Sequence, residues 1–200
     1  MAMAAILVGQ WFGSGVVFSQ GLTVDPPSGS QDGISVLSPV RVLFQLKAPS
    51  KDHVHLRGDF NGWQISDDYL MNRSLDGNTW WLEVDGLEPG EWTRFHYLVD
   101  DTVEVADPYA PLILDPWNDG YIPPTTFEAR PEFPWQHAAW PVGAFRTEEV
   151  PFDWGDEGFQ RPAQDRLVIY ELLVRDWDSE RDFGDVIDRL DYLEWLGINA

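Results

Sequence analysis

The sequence predicts an all-β sandwich of the immunoglobulin-like type, followed by the first strand and helix of a parallel α/β fold. Two observations lead to this prediction. Between residues 22 and 110, short runs of β-branched and other apolar residues alternate with turn signals, and no helical period intervenes. After residue 166, a nearly continuous apolar run is followed by apolar residues at three- and four-residue intervals. The chain therefore combines two structural classes.

Composition excludes several classes of protein. The 200 residues include 13 Lys and Arg against 34 Asp and Glu, which gives a net charge of −21 at pH 7. So acidic a chain is repelled by nucleic-acid phosphates and by anionic lipid, and we expect neither nucleic acid nor a membrane as a partner. A hydrophobic content of 44% is enough to build a core. Because the chain has no cysteine, disulfides, thiolate metal sites and cysteine nucleophiles are excluded.

The first residues have the pattern of a secretory signal. Residues 4–18 are mostly apolar and uncharged, and the small residues around Ser19 suit signal-peptidase cleavage before Gln20. We therefore predict a signal peptide over residues 1–19 and a secreted or periplasmic protein. The pattern lacks the usual basic start, because the first Lys or Arg is Arg41. A disordered or strand-like leader is the alternative.

The sandwich is predicted over residues 20–110. A polar lead-in with Pro and Gly, residues 21–38, is expected to form neither a helix nor a long strand. Five runs after it are rich in β-branched and aromatic residues and are bounded by turn residues. We predict strands in these runs, at residues 40–46, 53–57, 79–84, 93–99 and 102–105.

A segment rich in proline and tryptophan follows, over residues 111–164. It carries Trp117, Trp135, Trp140 and Trp154 among its prolines, whereas a flexible linker is rich in Gly and Ser. Large apolar rings cost free energy when they are left in water. We therefore expect this docking segment to lie extended across a partner surface.

The last segment, residues 165–200, has the pattern of a strand followed by a helix. Residues 167–174 are almost all apolar, as in a strand buried on both faces of a parallel sheet. A helix is predicted from an N-cap at Asp182 to a C′ residue at Gly197. One such unit cannot bury its own apolar faces, so we expect the chain to be an N-terminal portion of a longer protein. A terminal appendage that packs on the sandwich is the alternative.

Specific motifs connect both halves to one enzyme family. Residues 56–63 (LRGDFNGW), 95–101 (FHYLVDD) and 106–110 (ADPYA) resemble the early-set module, akin to carbohydrate-binding module family 48, that precedes the barrel in glycoside hydrolase family 13, the α-amylase family. Residues 168–177 and 183–200 resemble the first strand and helix of that family's (β/α)8 catalytic barrel. The resemblance thus implies a sandwich followed by the first βα unit of a truncated (β/α)8 barrel.

The same resemblance implies a function. The parent protein is expected to be a glycoside hydrolase that acts on α-glucosidic bonds of starch, glycogen or maltooligosaccharides. The family's catalytic carboxylates lie at the ends of later barrel strands, so we assign no catalytic residue in this chain and expect the chain alone to be inactive. Glu171 and Asp176 lie in or just after the first strand and are interpreted as structural. A branching enzyme and a non-catalytic α-glucan-binding module are the alternatives.

Trp63 is the one candidate for sugar binding. It follows the turn-forming pair Asn61-Gly62 and matches the position at which sugar-binding members of the family carry a stacking tryptophan. Two features depart from that pattern: Thr102-Val103 stands where a second tryptophan is expected, and His96 replaces a lysine. The alternative is that Trp63 packs between the sandwich and the barrel.

No metal or cofactor site is predicted in this chain. His53 and His55 alternate along a strand and could face the same way, but the sequence shows no third ligand beside them. The acidic run over residues 176–185 lacks the spacing of a calcium loop. Whether the longer parent binds calcium is left open.

Overall fold

The computed structural model describes residues 21–124, 126–127, 129–149 and 152–200. The predicted signal over residues 1–19 therefore lies outside the described residues. The described chain divides into two compact units. The first comprises residues 21–121 and 130–149, and the second comprises residues 152–200 with the described residues between 122 and 129.

The first unit contains two antiparallel sheets. One sheet has four strands in the order β1-β2-β5-β4, where β2 and β5 pair along their full lengths. Its strands are β1 (Gly33–Ser38), β2 (Arg41–Lys47), β4 (Asn72–Arg73) and β5 (Thr79–Asp85).

The second sheet is built around one long strand, β6 (Thr93–Val99). On one side β6 pairs with β3. On the other side its second half pairs with β7 and its first half pairs with β9, which in turn pairs with β8. The partner strands are β3 (Val54–Gly58), β7 (Val103–Val105), β8 (Leu112–Leu114) and β9 (Val142–Phe145).

Aromatic rings from both sheets form the centre of the core. Phe44 of β2 packs edge-on against Phe95 of β6 and Phe145 of β9, with ring centroids 4.9 and 5.7 Å apart. All three rings are fully buried or nearly so. Edge-to-face packing of this kind adds to the stabilisation that comes from burial. The unit is thus mostly antiparallel β-sheet with little helix, as expected for a β-sandwich.

The strand predictions were accurate where β-branched residues dominate and failed elsewhere. Strands β2, β3, β5, β6 and β7 confirm the five predicted runs. The prediction that the lead-in forms no long strand is wrong, because β1 covers six of its residues. β1 is an edge strand whose Val36 and Leu37 are about half exposed, so its composition resembles that of a loop. Strands β8 and β9 come from the segment predicted to dock on a partner.

The second unit contains short helices. The predicted helix is present as α1 (Phe183–Ile187) and α2 (Leu190–Trp195). Asp182 caps α1, since its carboxylate accepts a hydrogen bond from the Asp185 N–H at 3.1 Å. Gly197 follows α2 with φ of 80°, as predicted for a C′ residue. No helix among the described residues combines the length and the apolar character that a membrane span needs.

The strand predicted over residues 167–174 is not found in the second unit. Residues 167–173 carry no strand, and Ile169 is 71% exposed. Two backbone hydrogen bonds nevertheless follow the pattern of parallel pairing: Tyr170 N–H donates to the Ala200 carbonyl at 2.9 Å, and Ala200 N–H donates to the Val168 carbonyl at 3.2 Å. A buried strand needs neighbours on both sides, whereas the long-range backbone hydrogen bonds of residues 167–173 run to residues 199 and 200.

Candidate carbohydrate-binding surface

The segment that carries Trp63 is a tight turn held by its own side chains. After Gly58 the chain forms a short 3-10 helix, Asp59–Asn61, and then passes through left-handed conformations at Gly62 and Trp63, with φ of 58° and 62°. The Asn61 side chain bridges the turn. Its carbonyl oxygen accepts from the N–H groups of Gly58 and Trp63, at 3.0 and 3.1 Å, and its amide donates to the Leu56 carbonyl at 3.0 Å.

Asp59 fixes this turn to strand β6. Its carboxylate accepts three hydrogen bonds from Arg94, one from the backbone N–H at 2.8 Å and two from the guanidinium at 2.9 Å. It also accepts from the indole N–H of Trp63 at 3.1 Å. The side chains of Asp59 and Asn61 are thus used in hydrogen bonds to other groups of the fold, which is a structural role.

The Trp63 ring is almost completely buried. It is 3% exposed and belongs to a second apolar cluster of the first unit. His137 stacks parallel to it, at 5.8 Å between centroids and 3° between planes, and His96 approaches it edge-on at 5.3 Å. A glucose unit can stack on the indole face that His137 covers only after the His137 ring has moved away. Sugar stacking by Trp63 therefore stays a prediction, and it now requires that movement.

His96 lies behind Trp63 and is fully buried. Burial lowers its pKa to about 3, and the nearby positive charge of Arg57 acts in the same direction. The imidazole is consequently neutral at physiological pH. A fully buried side chain cannot contact a sugar, so His96 does not take over the role of the lysine that it replaces.

Three other tryptophans of the first unit are open to solvent. Trp117 and Trp140 are 55% and 56% exposed and pack edge-to-face at 5.3 Å. Trp135 is 70% exposed and lies edge-on against Phe133 at 4.8 Å. Sequence reasoning predicted that such rings cover a partner surface but did not consider them as sugar platforms. Flat indole faces with nearby polar groups are also what carbohydrate sites offer to the apolar face of glucose.

The two carboxylates interpreted as structural, Glu171 and Asp176, lie in the second unit. Both are exposed, and Asp176 pairs with the adjacent Arg175 at 3.1 Å. Their interpretation as structural residues stays a prediction.

Comparison with known proteins finds relatives of the chain among α-glucan enzymes. No protein-family model matches the chain. It is 39% identical over 149 residues to the 1,4-alpha-glucan branching enzyme of Butyrivibrio fibrisolvens. This alignment covers 70% of this chain and 19% of that enzyme. It is 32% identical over 159 residues to isoamylase 1, chloroplastic, of Arabidopsis thaliana. That alignment covers 74% of this chain and 16% of the isoamylase.

A solved structure supports the fold. The crystal structure of the GBS pullulanase SAP in complex with maltotetraose matches 85% of this chain and 23% of its own, with a TM-score of 0.57 and 21% sequence identity. The chain spans about a fifth of the length of these relatives. All of them are members of glycoside hydrolase family 13. The resemblance seen in the sequence is therefore confirmed, and the chain is related to the N-terminal portion of the proteins of glycoside hydrolase family 13, the α-amylase family.

Proposed function

We propose that the chain is the N-terminal part of an enzyme that acts on α-glucosidic bonds of starch, glycogen or maltooligosaccharides. The observation that carries this proposal is the match to the branching enzyme of Butyrivibrio fibrisolvens, at 39% identity over 70% of this chain. That match is longer than the sandwich alone. It agrees with the two motif groups, one in the sandwich and one after residue 166, that resemble the same family.

In this proposal the chemistry belongs to residues outside the chain. Retaining glycoside hydrolases use two carboxylates about 5–5.5 Å apart, one as nucleophile and one as acid/base. The family resemblance implies that such groups lie at the ends of later barrel strands. The chain itself supplies the sandwich and the entry into the catalytic barrel, and it is inactive alone.

A branching enzyme is the alternative that the same relative favours, since that relative is a glucan branching enzyme. Hydrolysis and branching share the covalent glycosyl intermediate and differ in the acceptor, which is water or another glucan. A binding module without activity is a further alternative. The exposed pair of Trp117 and Trp140 favours it, because this pair leaves indole faces free for glucose units.

The full-length gene product and the 200-residue chain, each incubated with amylose and with glycogen, distinguish these functions. A hydrolase releases reducing ends, whereas a branching enzyme shifts the iodine absorption of amylose without releasing them. The 200-residue chain should do neither. If the full-length product does neither and still binds amylose, the binding-module alternative replaces the proposal, and if it also fails to bind, the α-glucan proposal is wrong.

We also propose that the protein is secreted or periplasmic, on the strength of the apolar, uncharged residues 4–18. Mass spectrometry of protein collected outside the cytoplasm should find a new N-terminus at Gln20. A mature protein that still begins at Met1 or Met3 contradicts this proposal without affecting the assignment of activity.

A further inference from the structure

Three side chains that can ligate a metal converge at one end of the second sheet. His53 precedes β3 and His55 lies within it, so the two imidazoles stand on the same face of the strand. Asp101 reaches them from the turn between β6 and β7. Its carboxylate lies 3.0 Å from His53 Nε2 and 3.4 Å from His55 Nδ1, and one ligand atom from each residue lies within 4.8 Å of the others.

The turn that presents Asp101 is firmly built. Asp100 and Asp101 are the central residues of a turn that a hydrogen bond closes, from the Thr102 N–H to the Val99 carbonyl at 3.1 Å, and both have positive φ, 48° and 55°. Asp100 anchors the turn to the chain before β3, because its carboxylate accepts the N–H groups of Asp52 and His53 at 2.8 and 3.2 Å. Since Asp100 makes these bonds, Asp101 is left to face the imidazoles.

Among the described residues, the Asp101 carboxylate is the only ion-pair partner of these two imidazole nitrogens. His53 Nε2 and His55 Nδ1 are shielded from solvent, and each faces one oxygen of the Asp101 carboxylate. Shielded polar atoms are normally paired, so two such atoms that face one carboxylate require an explanation. The two contacts use different oxygens of the carboxylate, Oδ2 towards His53 and Oδ1 towards His55, so one carboxylate faces both imidazoles at once.

We propose that His53, His55 and Asp101 bind a zinc ion, with the fourth coordination position open to solvent. Two imidazoles and one carboxylate are a donor set that zinc accepts, whereas calcium prefers six to eight oxygen ligands. The Asp101 side chain is 55% exposed, so an ion can enter from solvent. The net charge of −21 also favours the approach of a cation.

The ion would join elements that are distant in the sequence. His53 and His55 lie just before and within the start of β3, and Asp101 lies in the turn of the β6–β7 hairpin. An ion that binds only the folded state raises its stability by mass action. The site is thus expected to reinforce this end of the sandwich, and the inference does not depend on the proposed glucan activity.

The test is a zinc titration of the full 200-residue chain by calorimetry, without a histidine tag and at about pH 7.5, where free imidazoles are neutral. Asp101→Asn is the informative variant, because asparagine tolerates the left-handed conformation of the turn and preserves the fold. Asp67→Asn is its matched control. Asp67 also acts electrostatically on His55 but is not one of the three proposed ligands, so both variants remove the same charge near the imidazoles.

We expect one zinc ion per chain, a rise in melting temperature with zinc, and a loss of affinity of at least about tenfold in Asp101→Asn but not in Asp67→Asn. His53→Gln provides a second variant at a partly exposed position and should weaken binding as Asp101→Asn does. The proposal is overturned if no saturable binding occurs below about 1 mM zinc. It is equally overturned if Asp67→Asn weakens binding as much as Asp101→Asn, since the ion is then attracted by charge without coordination.

Discussion

The carboxylate of Asp59 and the guanidinium of Arg94 form a two-point ion pair, in which each carboxylate oxygen accepts one N–H at 2.9 Å. The two residues are distant in the sequence, and the pair joins the turn after β3 to the start of β6. Paired hydrogen bonds between charged groups are stronger than those between neutral groups and also fix orientation. The acidic residue of the family motif thus holds the fold together, and the stability of the sandwich should depend on it.

Replacing Asp59 by alanine should lower the free energy of unfolding by about 2–3 kcal/mol, because the Arg94 side chain, its backbone N–H and the Trp63 indole all lose their acceptor. Urea unfolding followed by tryptophan fluorescence measures the change. Glu149→Ala is the control, since Glu149 is 52% exposed and pairs with Arg146 at 3.5 Å, and it should cost less than about 0.5 kcal/mol. Equal losses in the two variants would contradict the structural role of Asp59.

Gly58 should not tolerate a side chain. A Cβ atom there would lie 2.6 Å from the Arg94 carbonyl oxygen and 2.8 Å from the Phe60 ring. Gly58→Ala is therefore expected to cost about 2–3 kcal/mol, through steric overlap with backbone that cannot move freely. At Gly120 no heavy atom lies within 4 Å of the added Cβ, so Gly120→Ala should leave the melting temperature nearly unchanged. A Gly58→Ala variant as stable as Gly120→Ala would show that the turn is looser than described.

Burial of His96 should make the fold sensitive to acid. The pKa of His96 falls from 6.5 to about 3 on folding, chiefly because burial disfavours the charged imidazole. Between these values the unfolded chain binds a proton that the folded chain does not, so stability decreases as the pH falls from 6.5 towards 3. The slope contributed by this one group is at most about 1.4 kcal/mol per pH unit.

Urea unfolding at pH values between neutral and about 4.5 tests this expectation. His96→Phe keeps a ring beside Trp63 and removes the titrating group, so its stability should fall less on acidification than that of the parent chain. His137→Phe makes the same exchange at an exposed position and should retain the parent's acid sensitivity. The expectation fails if His96→Phe and the parent chain lose stability in parallel.

If Trp63 stacks on sugar, removal of the His137 ring that covers it should strengthen binding. Because His137 lies flat on the indole, His137→Ala should uncover the ring and strengthen retention of the chain on immobilised amylose. Trp63→Ala in the same background should abolish the gain. Circular dichroism must accompany the second variant, since truncating a buried tryptophan costs about 3–5 kcal/mol.

Trp117→Ala distinguishes Trp63 from the open tryptophan pair. Its ring is 55% exposed, so the substitution should change stability little. If it lowers retention on amylose while His137→Ala has no effect, the exposed pair is the glucan platform and the role of Trp63 is confined to the core.

The sequence predicted strands well where local composition decides and poorly where distant residues decide. The bounds predicted for β6 agree with the structure, because β-branched or aromatic residues occupy every second position of this strand. β1 was missed because it is an edge strand with glycine, serine and exposed apolar residues. The strand predicted over residues 167–174 rested on apolar content and on the family resemblance, and neither supplies the neighbours that a buried strand requires.

The candidate sites show the same limit. Asn61-Gly62 correctly indicated a turn before Trp63, but the burial of Trp63 depends on His137, which lies far downstream. His53 and His55 were recognised as a pair, whereas their third neighbour, Asp101, is brought to them by the β6–β7 hairpin. The local spacing of residues does not predict these contacts, because the fold brings residues that are distant in the sequence together at Trp63 and at the two histidines.

The position of β9 in the second sheet has a consequence for synthesis of the protein. β9 lies between β6 and β8 although it is the last of these strands to be made. As the chain leaves the ribosome, β6 keeps an unpaired edge and Phe44 and Phe95 lack their third ring until Phe145 has emerged. Open strand edges and uncovered aromatic rings promote aggregation. The sandwich should therefore acquire protease resistance late and in one step, after the tryptophan-rich segment has been translated.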